Sequence, residues 1–422
     1  VLNWLVNYAE DKSVKTNFII NVLDGSFYAF AISFISFTTV LPLFVKKIGG
    51  NNIAVGLIPV IWTVGFNIPQ ILMANYVRRK PYKKNLLLVT AFFQRLPWLM
   101  LGFFCWFVFD TAGSDIQLLI FFVCYALAAV AGALNLPGWF DLVAKVTPIN
   151  VRGRLFGVRA ILGALLGIIG GWITEKVLAA YQYPYSFSIL FFISFGVILI
   201  SYAALFFIKE KEPNAIVDKL HYAEFLKRIP SLVRYNTNYR NFLIADALLI
   251  SALMADAFYA LNAVNKFSLD DSYAGIFTII MMSSIIAGNM LFGYAADRLG
   301  HKINLWLASV SALIACLLAL ASASLHVYYA VFAFSAFTAT LIQVSRLTII
   351  AELCSEQDRP TYVAVTNMIT APFILFGVVA GWIANNYGYN MVFILAGSFA
   401  FISSLIFGFK VKEPRRTILV NS

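Results

Sequence analysis

Twelve stretches of about twenty mainly apolar residues recur along this chain, most of them separated by short polar breaks, and nothing else in it restricts the fold as strongly. A run of that length crosses roughly 30 Å of hydrocarbon only as a helix, because lipid offers no partner to an unpaired backbone N–H or C=O. The runs, numbered here as spans 1 to 12, are 18–45, 53–77, 85–109, 116–144, 153–175, 186–208, 241–265, 273–296, 303–323, 327–353, 361–385 and 389–409. Hydrophobic residues make up 61% of the chain and charged ones 12%, where a soluble protein carries about a quarter charged residues. The expectation is an all-α polytopic membrane protein.

Charge supports the same frame. The net +11 suggests nucleic acid only until the basic residues are sorted by loop. With both termini on one side, 24 of the 31 Lys and Arg fall on that side and four, Lys46, Lys47, Lys176 and Lys266, on the other. Positive residues collect on the cytoplasmic face, so both termini are expected there, in a bacterial inner (plasma) membrane. The basic residues thus follow topology, and no nucleic-acid surface is expected. Cys105, Cys124, Cys316 and Cys354 show no CxxC spacing or matching histidines, so neither a disulfide framework, a metal nor a cofactor is expected. The opening VLNWLVNYAEDKSVKTN is too polar and too mixed in charge to read as a removable signal, and span 1 is expected to direct insertion. No phosphate-cradling GxxxxGK[ST], HExxH or nucleophile elbow occurs, and an enzyme is not expected.

The longest polar break splits the spans six and six. It gives a segment 1–17, a bundle 18–208, a linker 209–240, a second bundle 241–409 and a tail 410–422. Within the linker, Ile216, Leu220 and Leu226 among Lys and Glu over 215–229 suit a short amphipathic surface helix or a solvated tether. The bundles read as repeats. LGIIGGWI, 166–173, matches FGVVAGWI, 376–383; AKVTPINVRG, 144–153, matches AELCSEQDRP, 351–360; FIKEKEP, 207–213, matches FGFKVKEP, 407–414. Agreement in order at nearly constant offset is the mark of an internal duplication.

Between spans 8 and 9 stands Gly293-x-x-x-Asp297-Arg298-x-Gly300-x-Lys302, which resembles the signature loop of the major facilitator superfamily. Twelve spans, the six-plus-six division and the long linker extend the resemblance over nearly the whole chain. It implies two six-helix pseudo-repeat bundles, transport by alternating access, spans 1, 4, 7 and 10 lining a central cavity, and a cytoplasmic gate of Gly293, Asp297, Arg298, Gly300 and Lys302. There Gly293 lets a neighbouring helix approach, Gly300 permits a tight turn, and Asp297 meets the N-terminal end of span 11. The copy between spans 2 and 3, NYVRRKPYKK at 75–84, departs from the pattern. Arg78 or Arg79 stands where the carboxylate belongs, and Pro81 or Tyr82 replaces the second glycine, so its arginines are expected to seek Glu352, Glu356 or Asp358. Span 5 lacks the proline and span 4 the arginine of the family's proton-coupled exporters, which favours symport or facilitation over export.

Ionisable groups inside spans cost roughly 2.5–3.5 kcal/mol each on insertion scales, so each needs a partner, water or a task. Matching depth pairs Asp24 with Arg159 and Asp246 with Arg346 as ion pairs within each bundle. Asp256 has no basic residue at its depth and is the first candidate for proton coupling, with Asp24 the second; the alternative is a water-exposed structural group. Arg95 either bonds within its bundle or contacts an anionic substrate group. Phe27, Tyr28, Asn135, Trp139, Phe258, Tyr259, Asn262, Gln343 and Arg346 are the expected cavity residues, apolar walls with few polar groups. The expected partners are a small-molecule organic solute, protons and the lipid bilayer, and the protein is expected to be a monomer. The alternative function is a non-transporting scaffold that binds or chaperones a lipid, pigment or partner protein.

Overall fold

The computed structural model describes residues 12–210, 234, 236–354 and 358–414. The amphipathic stretch 215–229, Glu356 and the side chain of Arg78 lie outside the described residues. Within them the chain is helical, and ten helices are long and apolar enough to cross a membrane. The other two spans are Asn52–Arg78, which is span 2, and span 1, which is split.

Where the helices start and break follows from local chemistry. Asn51 accepts the Ala54 N–H at 2.9 Å to open span 2, and Asn236 accepts the Tyr239 N–H at 2.9 Å to open span 7. Span 1 runs Lys12–Ser33, unwinds, and resumes as Val40–Lys47, with the N–H groups of both Val40 and Leu41 converging on the Ser36 carbonyl. Span 7 is Thr237–Ala252, a tighter turn Leu253–Ala255, then Asp256–Phe267. Span 11 is likewise interrupted over Ala371–Leu375, where Pro372 removes an N–H from the ladder, whereas span 5 runs unbroken from Ile149 to Ala180. The repeat is therefore closer in sequence than in backbone.

Each half packs its own six spans, and the halves meet where span 5 crosses span 8 and span 2 crosses span 11. The end of the molecule that carries the signature loop and the linker is called here the basic end. At the opposite end the crossings are backbone on backbone. A Cβ on Gly171 would sit 2.8 Å from the Gly275 carbonyl oxygen, and one on Gly377 would sit 2.7 Å from that of Gly56. Four polar contacts among the described residues join the halves at this end: Lys47 to Asp271 at 2.8 Å, Thr39 to Thr278 at 2.7 Å, the Asn52 N–H to Asn385 at 3.0 Å, and the Tyr389 hydroxyl to Asn52 at 3.2 Å. Toward the basic end, a Cβ added at Gly153, Gly157 or Gly293 would meet nothing within 4 Å. For Gly293 this corrects the expectation of a closely approaching neighbour: the spans diverge there.

At the basic end the duplication is most literal. Asn17 exchanges two bonds with Lys209, donating to its carbonyl at 3.0 Å and accepting its N–H at 2.8 Å; Asn238 does the same with Lys412 at 3.0 and 2.7 Å. The next residue, Glu210 or Glu413, accepts the first N–H groups of span 3 or span 9, from Lys83 and Lys84 in one half and Lys302 in the other. Lys84 Nζ donates to the Phe206 carbonyl and Lys302 Nζ to that of Gly408. The equivalence is Glu210 with Glu413, although the matching KEP letters set Glu212 there. A π turn at Ile406–Lys410 takes up the extra residue in the second half. Counting back from the two capped lysines sets Arg79 opposite Asp297 and Tyr82 opposite Gly300.

Candidate functional site

A polar side chain deep inside a span is costly where its open surface meets lipid, so partial exposure at such a position singles the residue out. Tyr28, Asn135, Trp139, Asp256 and Arg346 are of this kind, Phe27 is half-buried beside them, and Gln343 is exposed. Phe258, Tyr259 and Asn262 are not. They are 0%, 2% and 7% exposed and belong to the core of the second bundle. Tyr259 stacks on Phe393 with centroids 5.3 Å apart and lies 3.3 Å from Cys316, and Asn262 donates to the Tyr328 hydroxyl at 2.9 Å. The expected cavity set is corrected to exclude these three. After the break at Leu253–Ala255, the stretch Ala257–Ala263 of span 7 is buried throughout.

In the first bundle, one polar chain links spans 1, 3 and 4. Gln94 donates to the Tyr28 hydroxyl at 3.0 Å, Asn135 donates to Gln94 at 3.1 Å, and Thr90 donates to Asn135 at 3.1 Å. Gln94 was missed on sequence because it precedes the more conspicuous Arg95. The signal that could have found it is the spacing of Thr90 and Gln94, four residues apart and so on one helix face.

A second cluster surrounds Asp24. Ser201 donates to its Oδ1 at 2.8 Å, Trp139 Nε1 donates to Oδ2 at 3.3 Å, and Arg159 NH2 stands 3.6 Å from Oδ2. Arg95, 2% exposed, donates to the carbonyls of Ile198 at 3.2 Å and Ala91 at 2.6 Å and to Ser201 at 3.3 Å. Its guanidinium is engaged by its own bundle, against the face of Tyr202. Sequence depth set Arg159 beside Asp24 but did not reveal that Arg95 joins the same cluster through Ser201.

The second bundle holds a tighter pair. Arg346 Nε reaches both Asp246 oxygens at 3.0 and 2.9 Å, NH2 reaches Oδ2 at 2.8 Å and Thr370 at 3.0 Å, and NH1 donates to Asn367 at 3.0 Å. Thr370 and Asn367 lie on span 11 just before its break, so the guanidinium ties spans 7, 10 and 11 together. Asp256 opens the second part of span 7, with Oδ1 accepting from Ser335 of span 10 at 2.9 Å.

In the signature loop, Asp297 and Arg298 are exposed on the last turn of span 8, the Arg298 guanidinium lying 4.6 Å from the centre of the Tyr294 ring. Gly300 has φ +93°, a left-handed conformation unfavourable to a side chain, and a Cβ there would also strike the Glu413 carboxylate. In the basic first copy, Lys83 is buried against Asp141 at 3.1 Å and the Val77 carbonyl, while Lys145 pairs with Glu210 at 2.7 Å. Among the described residues no group of three or more His, Cys, Asp or Glu could hold a metal ion.

A fold of two six-span bundles crossing at paired glycines, with charges held inside each bundle, defines a polytopic helical membrane protein. The family model described as Major Facilitator Superfamily matches residues 242–421, within the second bundle and tail, and the likeness in fold to solved structures covers more than nine-tenths of the chain. A variant of the nucleoside transporter NupG superposes with TM-score 0.73 at 13% identity, over 93% of this chain and 100% of that one. A D-xylose-proton symporter gives 0.71 at 12%, over 96% and 99%. A bacterial homologue of the human lysosomal transporter Spinster, inward-facing and occupied, gives 0.69 at 12%, over 97% and 98%. No curated protein matches the chain in sequence.

Proposed function

We infer that this protein is a secondary transporter that moves a small organic solute by alternating access, with its outer side closed and its cytoplasmic side open in the present conformation. The observation that carries the reading is the contrast between the two ends: glycine backbones in contact at spans 5 and 8 and spans 2 and 11 at one end, open space beside Gly153, Gly157 and Gly293 at the other. Paired rigid bundles closed at one end are what a rocking mechanism requires. The basic loops at the open end support a cytoplasmic placement for it. The named functions of the structural relatives, which carry nucleosides in one case and xylose with protons in another, support the same class.

Asp256 is the coupling carboxylate in this reading. It stands at a helix break, holds one hydroxyl donor, and shares a span with the Asp246–Arg346 pair, so adding or removing its proton acts where span 7 bends.

Proteoliposomes challenged with labelled nucleosides, sugars, short peptides and organic acids under an imposed pH gradient test this. Saturable uptake of at least one class is expected, with concentrative accumulation abolished and exchange retained in Asp256→Asn. Absence of saturable flux across the panel rejects transport, and undiminished accumulation in the variant rejects the coupling role. Cysteine labelling of the same protein has a low background, since Cys105, Cys124 and Cys316 are buried and burial pushes the half-buried Cys354 thiol up.

A further inference from the structure

We propose that Arg159 anchors the anionic group of an organic monoanion, so that the solute carries one carboxylate on an apolar body. The proposal takes its cargo from the transport reading, but the site stands on its own geometry. Around Asp24 lie two guanidiniums, Arg159 and Arg95, and a single carboxylate; the other groups of the cluster, Tyr28, Trp139 and Ser201, are neutral polar side chains. Arginine stays protonated in proteins, so the cluster holds one positive charge in excess. The nearest further acid of span 4, Asp141, is paired with Lys83.

The excess resides on Arg159. Arg95 spends its donors on two carbonyls and Ser201. Arg159 meets Asp24 only at 3.6 Å, and its NH1 is buried without a hydrogen-bond partner among the described residues. A buried guanidinium nitrogen left unsatisfied is costly, and it lies in span 5, which packs across the halves against span 8. The group is also built to stay in place. It lies over the Trp139 ring at 4.5 Å, and it occupies the space that a Cβ on Gly25 would fill, so only glycine at 25 admits it. Trp139 packs in turn on Phe140 at 4.9 Å and Phe156 at 6.1 Å, rings that are 50% and 40% exposed and offer an apolar wall beside the cation. A carboxylate supplies the missing acceptor and brings the cluster to neutrality, whereas a dianion overshoots it and a neutral amide does neither.

The test uses the full-length protein in detergent and four acid and amide pairs of equal shape: benzoate and benzamide, phenylacetate and phenylacetamide, indole-3-acetate and indole-3-acetamide, hexanoate and hexanamide. Acids are expected to raise the apparent melting temperature and their amides not to, since only a ligand bound to the folded state stabilises it. In Arg159→Gln the affinity for the acid falls by roughly tenfold to a hundredfold, the value of one charge-assisted bond. Arg159→Lys keeps part of it. Asp24→Asn, which increases the excess charge, keeps or strengthens acid binding, where a purely structural pair predicts loss in both variants alike. Amides as effective as acids, no response to any acid, unchanged affinity in Arg159→Gln, or acid binding lost in Asp24→Asn overturns the assignment. Acid binding without flux rejects transport and leaves the site; saturable flux of a neutral solute, unaltered by Arg159→Gln, rejects the site and leaves transport.

Discussion

The two bundles each hold an aspartate on their first span against an arginine, and they treat the pair in opposite ways. Asp246 and Arg346 close on each other: three contacts within 3.0 Å and two further acceptors from span 11 satisfy the guanidinium. Asp24 and Arg159 stand 3.6 Å apart, and the carboxylate takes its shortest bond from Ser201. A closed pair fixes geometry. An open one retains unused binding capacity, and a duplicated fold can divide these tasks because each half needs only its own core to hold together.

The largest expected effect separates the pairs by stability. Arg346→Gln leaves the carboxylate of Asp246, with 1% side-chain exposure, without its cation, and is expected to cost about 3–5 kcal/mol. Arg159→Gln leaves Asp24 with two neutral donors and is expected to cost about 1–2 kcal/mol. Thermal unfolding of both variants in detergent measures the difference, and equal losses would erase the distinction between the bundles.

A smaller contrast concerns the two caps. Glu210 accepts two backbone N–H groups and pairs with Lys145, whereas Glu413 accepts the N–H of Lys302. Glu210→Gln is expected to cost about 1–2 kcal/mol and Glu413→Gln about half that, on the scale of helix caps. Hydrogen exchange of the first turns of spans 3 and 9 reads each cap locally, and a larger rise at span 9 in Glu413→Gln than at span 3 in Glu210→Gln would reverse the order.

The smallest effect on stability falls on the signature loop, where the readout is flux. Charge reversal in Asp297→Lys is expected to slow transport more than Arg79→Gln, its counterpart once the repeats are set in register by Lys84 and Lys302. Equal rates in the two variants would remove the asymmetry proposed for the gate.

How much of this was legible beforehand depended on the kind of information each feature needs. Depth along a span is a count of residues, so Asp246 and Arg346 share a level in the sequence itself. The number of bonds each guanidinium makes is not a count, since it depends on side chains from a third or fourth helix: Ser201 and Trp139 around Asp24, Thr370 and Asn367 around Arg346. Phe258, Tyr259 and Asn262 were misplaced for a related reason. A span that breaks at Leu253–Ala255 changes its facing at that point, and a helical projection drawn through the break points its later residues the wrong way. The equivalence of Glu210 with Glu413 was hidden from alignment because the matching KEP letters lie two residues out of register with it, and letters do not mark the π turn at Ile406–Lys410.

Membrane class, helices and duplicated halves can be read from the order of residues alone, because hydrocarbon requires every span to satisfy its own backbone within a length set by the bilayer. Which end brings its backbones together, and which guanidinium keeps a nitrogen without a partner among the described residues, emerge from the packing of the helices. Those depend on how close two backbones come at Gly171 and Gly275 and on where several helices aim their side chains around Asp24, distances between segments far apart in the chain.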